Sequence, residues 1–180
     1  AFRFLSLFIL YGLTLMSCPA ESWISRNTED GRQHYRAVAT SGEEFIAVGD
    51  DGVVLSSKDG TNWAPEEGAD YYTLNDMVWG KDEFVAVGGG GGIVRFLRTE
   101  FQSGQRGWSY ISTSKSLNGI AFNGSLYMIV GDDGISYRSS GSRPEGWIPV
   151  TTGTTKHLYG VVWTGSYWIE RRRATQIRSA

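Results

Sequence analysis

"FIAVGDDGVVLSSKDGTNW", Phe45–Trp63, is the stretch that decides the fold. Its first five residues are apolar at nearly every position, as befits a strand covered on both faces. The Asp-Gly pair at 51–52 suits a tight type I′ hairpin, because both central residues of that turn need positive φ. "VVLSS" then reads as the returning strand, "KDG" as another turn, and "TNWAP" as a further short strand. Working backwards, "HYRAVA" (His34–Ala39) is a strand and "TSGE" the turn that follows it. Residues 34–66 are thus four short antiparallel strands joined by tight turns.

The same unit recurs. "FVAVG" at Phe84 and "YMIVG" at Tyr127 copy "FIAVG", and "YWI" at Tyr167 begins a fourth copy, with spacings of 39, 43 and 40 residues. Trp23, Trp63, Trp108 and Trp147 make a second series, spaced 40, 45 and 39. "YRAVA" (Tyr35), "LNDMVW" (Leu74), "LNGIAF" (Leu117) and "LYGVVW" (Leu158) make a third. Several independent marks sharing one period identify a repeat architecture. Four antiparallel strands every forty or so residues describe the blade of an all-β propeller. Residues 34–66, 72–111 and 116–150 make three whole blades, and 157–180 supply the first strands of another. Trp23 reads as the last strand of a further blade. It either completes the C-terminal blade and closes a four-bladed ring, or the chain is part of a larger propeller. Closure matters because an open arc leaves strand edges exposed.

Ser57, Asp59, Gly60 and Trp63 in "SSKDGTNW" match the pattern S-x-D-G-x-x-W, which resembles the Asp-box (BNR) repeat of sialidase-type propellers. The alternation of "LNDMVW", "FVAVG" and "SSKDGTNW" also resembles the repeat of photosystem II assembly-factor propellers. The likeness spans about residues 21–169. Other copies are degenerate: "SSGSRPEGW" keeps Ser139, Ser140 and Trp147 without the Asp, and "TEFQSGQRGW" keeps Gly107 and Trp108. The Asp-box is a site for carbohydrate or a structural turn. Ser and Asp readily bond backbone amides of a hairpin, which favours the turn, with Trp63 packing between blades.

The ends of the chain depart from this pattern. Residues 1–20 carry Arg3, an apolar run from Phe4 to Met16, then small residues, the layout of a secretory signal. "LMSC", ending at Cys18, is similar to the lipobox of bacterial lipoproteins, so the chain is expected outside the cytoplasm, secreted, periplasmic or lipid-anchored through Cys18. Cleavage after Ala20 is the alternative. At the other end, Glu170, Arg171, Arg172 and Arg173 stand where other copies have "AVGD". Charges at buried positions are costly unless paired. The length of the unit is kept, so a local reading-frame error across about 170–175 is one reading of that segment, and a basic patch the other.

With 17 Lys and Arg against 19 Asp and Glu, net charge is −2, which implies no basic face for nucleic acid. The pairs Asp50-Asp51 and Asp132-Asp133, each followed by Gly, lack the spacing of a calcium loop and recur at one slot per blade, as turns do. "GGGGG" (Gly88–Gly92) fills the same slot, with no Lys-Ser/Thr behind it to make a phosphate loop. Asn123-Gly124-Ser125 reads as a turn rather than a glycosylation sequon. No metal-ligand cluster, cofactor motif or nucleophile motif appears. Sialidase-like chemistry needs an arginine trio, an acid and an activated tyrosine. The innermost strands offer only Arg36, Asp76 and Tyr159, each from a different blade. What remains is a ring of varied polar residues at one slot of the inner strands. His34 and His157 share its first position, and Arg36, Asn75, Asn118 and Tyr159 lie two residues on. Those side chains are a ligand surface or a wetted channel wall. The function expected is a non-enzymatic binding or scaffold module for protein or glycan. The alternatives are a fragment of a sialidase-like glycosidase and an assembly factor for a membrane complex.

Overall fold

The computed structural model describes residues 34–66, 72–97, 107–141, 146–172 and 177–179. The leader with Cys18, Trp23, Arg173 and the side chain of Trp108 lie outside what is described. The first sheet runs β1 (Tyr35–Thr40), β2 (Phe45–Gly49), β3 (Val54–Ser57) and β4 (Ala64–Pro65) in chain order. The second holds β5 (Leu74–Trp79), β6 (Glu83–Gly88), β7 (Gly92–Leu97) and β8 (Gly107–Tyr110). The third holds β9 (Leu117–Phe122), β10 (Tyr127–Gly131), β11 (Ser136–Arg138) and β12 (Ile148–Pro149). The fourth has β13 (Leu158–Trp163), β14 (Trp168–Arg172) and β15 (Ile177–Ser179). All pairings are antiparallel between chain neighbours. These are four blades of an all-β propeller.

Inner strands pack in succession, β1 on β5, β5 on β9 and β9 on β13, whereas β13 does not pack on β1 in this way. The described blades therefore form an arc rather than a closed four-bladed ring. The period-2 alternation of each strand feeds two cores. Between blades 1 and 2, Ile46, Val48 and Val54 meet Leu74, Met77, Phe84, Ala86, Val94 and Phe96. Between blades 2 and 3, Val85, Val87 and Ile93 meet Leu117, Ile120, Tyr127 and Ile129. Neighbouring residues of β6 thus go to opposite cores, which is why that strand is apolar throughout.

The Asp-Gly turns are type I′ as expected. Asp51 (φ 52°, ψ 26°) and Asp133 (φ 54°, ψ 29°) precede Gly52 (φ 71°) and Gly134 (φ 74°). The Val53 and Ile135 N–H groups close the turns onto Asp50 and Asp132 carbonyls at 3.0 and 3.1 Å. Gly90 and Gly91 make the same turn in blade 2. Just before the turn, a Cβ on Gly49, Gly88 or Gly131 would sit 2.0–2.3 Å from the carbonyl oxygen that precedes the inner strand. Each of those glycines pairs with the first residue of its inner strand: Tyr35, Leu74 and Leu117 respectively. In blade 4 the partner of Leu158 is Arg172. The register places Trp168 at the position of Phe45, Ile169 at Ile46, and Glu170 and Arg171 at Ala47 and Val48. Glu170 is buried and Arg171 exposed, while the Nε of Arg172 is buried without a hydrogen-bond partner. Burial pushes the Glu170 carboxyl upward, against the pull of Arg172. Blade 2 solves a similar problem by pairing: buried Glu83 accepts from Arg95 Nε at 2.7 Å.

Candidate functional site

In every blade the inner strand is irregular at its second residue. The register skips Arg36, Asn75, Asn118 and Tyr159, so the four slot residues are four β-bulges, one at the start of each inner strand. Bulges re-aim side chains, and here they aim them in two different ways.

Asn75 and Asn118 point along the arc. Asn75 Nδ2 donates to the Leu117 carbonyl at 2.9 Å, and Asn118 Nδ2 donates to the Leu158 carbonyl at 3.0 Å. Each amide joins its blade to the start of the next inner strand. Asp76 adds a second link: its Oδ2 accepts from Ile120 N–H at 2.9 Å, and its Oδ1 from Met77 N–H at 2.8 Å. Burial raises the Asp76 carboxyl, opposed by those two bonds. These three side chains are spent on holding blades together. All three are half-buried, and each carries a bond to the backbone of the next blade.

The remaining slot residues sit at two separate inner turns, His157 and Tyr159 by that of blade 3 and His34 and Arg36 by that of blade 1. Asp132 Oδ1 accepts from Asn118 Nδ2 at 2.9 Å and lies 3.0 Å from His157 Nδ1. The Asp133 backbone N–H lies 3.3 Å from that same nitrogen, so Nδ1 donates to Asp132 when it carries a proton and accepts from Asp133 when it does not. Lys115 Nζ pairs with Asp133 Oδ2 at 2.9 Å, and that hydrogen bond holds the Asp133 carboxyl below its ordinary range. The Tyr159 ring lies 6.3 Å from the His157 ring. Blade 1 has its own pair: Arg36 Nε donates to Asp50 Oδ1, which lowers the Asp50 carboxyl. His34 is exposed, and its carbonyl accepts from Asp50 N–H at 2.9 Å. The structure thus joins Asn118, His157 and Tyr159, sets Arg36 on its own turn, and turns Asn75 away. Lys115, Asp132 and Asp133 are rim groups that the sequence does not single out, because its aspartate pairs read as turn residues.

The stretch from Ser57 to Asn62 is a turn held by its own side chains. Ser57 Oγ accepts from the Asp59 and Gly60 N–H groups at 3.3 and 2.9 Å. Asp59 Oδ1 accepts from Thr61 and Asn62 N–H at 2.8 and 2.7 Å, and its Oδ2 from Asn62 Nδ2 at 2.8 Å. Hydrogen bonds from Asn62 and Thr61 drive its carboxyl far below the ordinary range. Ser139 takes the place of Ser57 in blade 3, accepting from Tyr127 N–H at 2.9 Å. Among the described residues, Trp63 lies half-buried against Phe45 of its own blade, rings 6.5 Å apart. It occupies the side of blade 1 turned away from blade 2. Trp147, the matching residue of blade 3, packs against the core shared with blade 2. Asn123 Oδ1 caps its turn by accepting from Ser125 and Leu126 N–H, both at 2.9 Å. Among the described residues, no group of three or more His, Cys, Asp or Glu is placed to hold a metal ion.

No family model and no curated protein matches this chain. Solved structures do. A computationally designed protein, Ika4, superposes with a TM-score of 0.68 at 10% identity, over 89% of this chain and 98% of that one. A second, Ika8, gives 0.64 at 10% identity over 84% of this chain and 46% of that one. A structure of YCF48 bound to D1 peptide gives 0.62 at 17% identity, over 76% of this chain and 46% of that one. This chain thus spans nearly all of the first and less than half of the other two. The likeness is one of fold, and it agrees with the propeller assembled from the strands.

Proposed function

We propose that the chain is an exported, non-enzymatic β-propeller that binds a protein segment at its inner rim. The observation that carries this reading is the division of the slot. Asn75, Asn118 and Asp76 make blade-to-blade bonds, while Arg36 with Asp50 and Lys115 with Asp133 form ion pairs at the solvent-facing rim, and His157 lies against Asp132. Such pairs suit recognition of a polar or charged chain, because exchanging a surface ion pair for a partner's group costs little. Catalysis would need converging groups, and Arg36, Asp76 and Tyr159 stand in separate blades with Asp76 already engaged at both oxygens. The solved complex of YCF48 with a peptide, built on a similar fold, supports protein over glycan as the ligand class. A role in assembling a membrane complex, which the repeat's resemblance to photosystem II assembly-factor propellers implies, fits that ligand class better than a glycosidase fragment does. Lipid attachment through Cys18 would hold the chain at a membrane surface.

Two assays run together test this. A panel of fluorogenic sialosides and other glycosides should show no turnover above buffer. Affinity capture from the membrane fraction of the source cell should recover one complex, and that recovery should fall when His157→Ala and Tyr159→Ala are combined. Turnover of any glycoside would replace this reading with the hydrolase one.

A further inference from the structure

In blades 1, 3 and 4 the turn between the first two strands is capped by its own first residue. Ser41 Oγ accepts from Glu43 and Glu44 N–H at 3.3 and 3.2 Å, and Thr164 Oγ1 accepts from Ser166 and Tyr167 N–H at 3.4 and 3.2 Å. Blade 3 places Asn123 there, its Oδ1 accepting from Ser125 and Leu126 N–H at 2.9 Å each. A hydroxyl caps the other two turns, so the turn does not require an amide. The amide brings what a hydroxyl lacks, a carbonyl carbon open to attack. Gly124 follows it, exposed, with open space where a Cβ would stand. Its N–H makes no hydrogen bond among the described residues. The bond from Ser125 N–H folds the Asn123 side chain back over that nitrogen. Cγ, Cβ, Cα, the main-chain carbonyl carbon and Gly124 N, the atoms of a succinimide ring, all lie within the ring that this bond closes. The two N–H groups on Oδ1 also stand where negative charge develops when Cγ is attacked.

A second Asn-Gly pair, Asn118-Gly119, is closed off. Asn118 Nδ2 donates to the Leu158 carbonyl at 3.0 Å and to Asp132 Oδ1 at 2.9 Å. Gly119 is buried, and a Cβ there would lie 2.7 Å from Gly160 Cα of the next blade. We propose that Asn123 is a self-modifying site, converted through a succinimide to aspartate and isoaspartate, while Asn118 is spared. Gly124 N gives up its proton and bonds to Asn123 Cγ. The Cγ–Nδ2 bond breaks, and Nδ2 leaves as ammonia with that proton. Water then opens the imide, its hydroxyl adding to either carbonyl carbon and its hydrogen going to Gly124 N. Opening at Cγ gives aspartate, which keeps an oxygen for both N–H groups. Opening at the main-chain carbon gives isoaspartate, which routes the chain through Cγ and lengthens it where β9 and β10 pair at Phe122 and Tyr127. This inference is independent of what the rim binds.

The test incubates the full chain at neutral and mildly alkaline pH, folded and in denaturant, and reads each asparagine by peptide mass spectrometry. The folded chain should exchange NH for O at Asn123 at least about tenfold faster than at Asn118, a gap that denaturant should abolish. The rate at Asn123 should rise with pH, because the attacking nitrogen must lose a proton. Enzymatic methylation of isoaspartyl carboxyl groups should label aged wild type more than aged Asn123→Ser. That variant keeps a cap of the kind blades 1 and 4 use, so its circular dichroism should match wild type. Three results would overturn the inference: equal conversion of Asn118 and Asn123 in the folded chain, equal methyl labelling of the variant, or a folded Asn123 left intact while the same residue converts in denaturant.

Discussion

Replacing Asn118 with alanine removes one amide that bridges two blades. Its Nδ2 donates to the Leu158 carbonyl at 3.0 Å and to Asp132 Oδ1 at 2.9 Å. The first acceptor belongs to a residue with no exposed surface, and the second to a half-exposed carboxylate. Losing a donor to a buried carbonyl costs about 1–3 kcal/mol, because the orphaned group keeps its desolvation penalty. The bond to Asp132 adds little, since water replaces it. The sum is about 1–3 kcal/mol, or roughly 2–4 °C in Tm for each kcal/mol in a domain of this size. Urea titration followed by tryptophan fluorescence reads it directly. The midpoint should fall while the m-value stays constant, since the surface exposed on unfolding is unchanged. Asn118→Asp should fare worse than alanine, because it keeps the bulk, loses both donors and sets a second carboxylate beside Asp132. A loss below about 0.5 kcal/mol in Asn118→Ala would refute the reasoning. It would return the amide to the list of groups available to a ligand.

Glu170 should make stability fall with pH. Its folded value is raised above the ordinary 4.5, so the native state holds a proton that the unfolded chain has released. The native state therefore binds more protons in the window above 4.5, and stability drops as pH rises through it. Thermal melts at several pH values should show a slope that Glu170→Gln abolishes; parallel curves would contradict this. Ser57→Ala should cost about 1–2 kcal/mol, since the buried oxygen that caps the Asp59 and Gly60 amides is lost. Amide exchange should quicken at Gly60 before it does in β2, and uniform exchange would instead indicate global loosening.

The fold was legible because its marks are local and repeated. Alternation, the Asp-Gly turns and the glycine before each turn all follow from backbone sterics, which a sequence records directly. The turn at Ser57–Asn62 was legible for the same reason, since Ser57 and Asp59 bond amides within a few residues of themselves. The site was less legible because its bonds cross blades. Nothing in "LNDMVW" reveals that Asn75 and Asp76 reach Leu117 and Ile120, more than forty residues away. The period sets Trp63 at the position of Trp147, which packs against the core shared with the preceding blade, but it does not show that Trp63 meets Phe45 of its own blade. Blade 4 shows a third limit. The charges of Glu170–Arg172 break the apolar pattern, yet the backbone register still carries β14 through them.

The most direct test of a peptide-binding rim is the affinity of the chain for a peptide selected from a displayed library, compared with that of His157→Ala/Tyr159→Ala. His157 is 52% exposed, so its removal should leave the urea midpoint nearly unchanged. The account predicts binding at least about tenfold weaker in the variant, a loss of about 1.4 kcal/mol. Equal affinity in a variant of unchanged stability would contradict it, placing recognition elsewhere on the propeller.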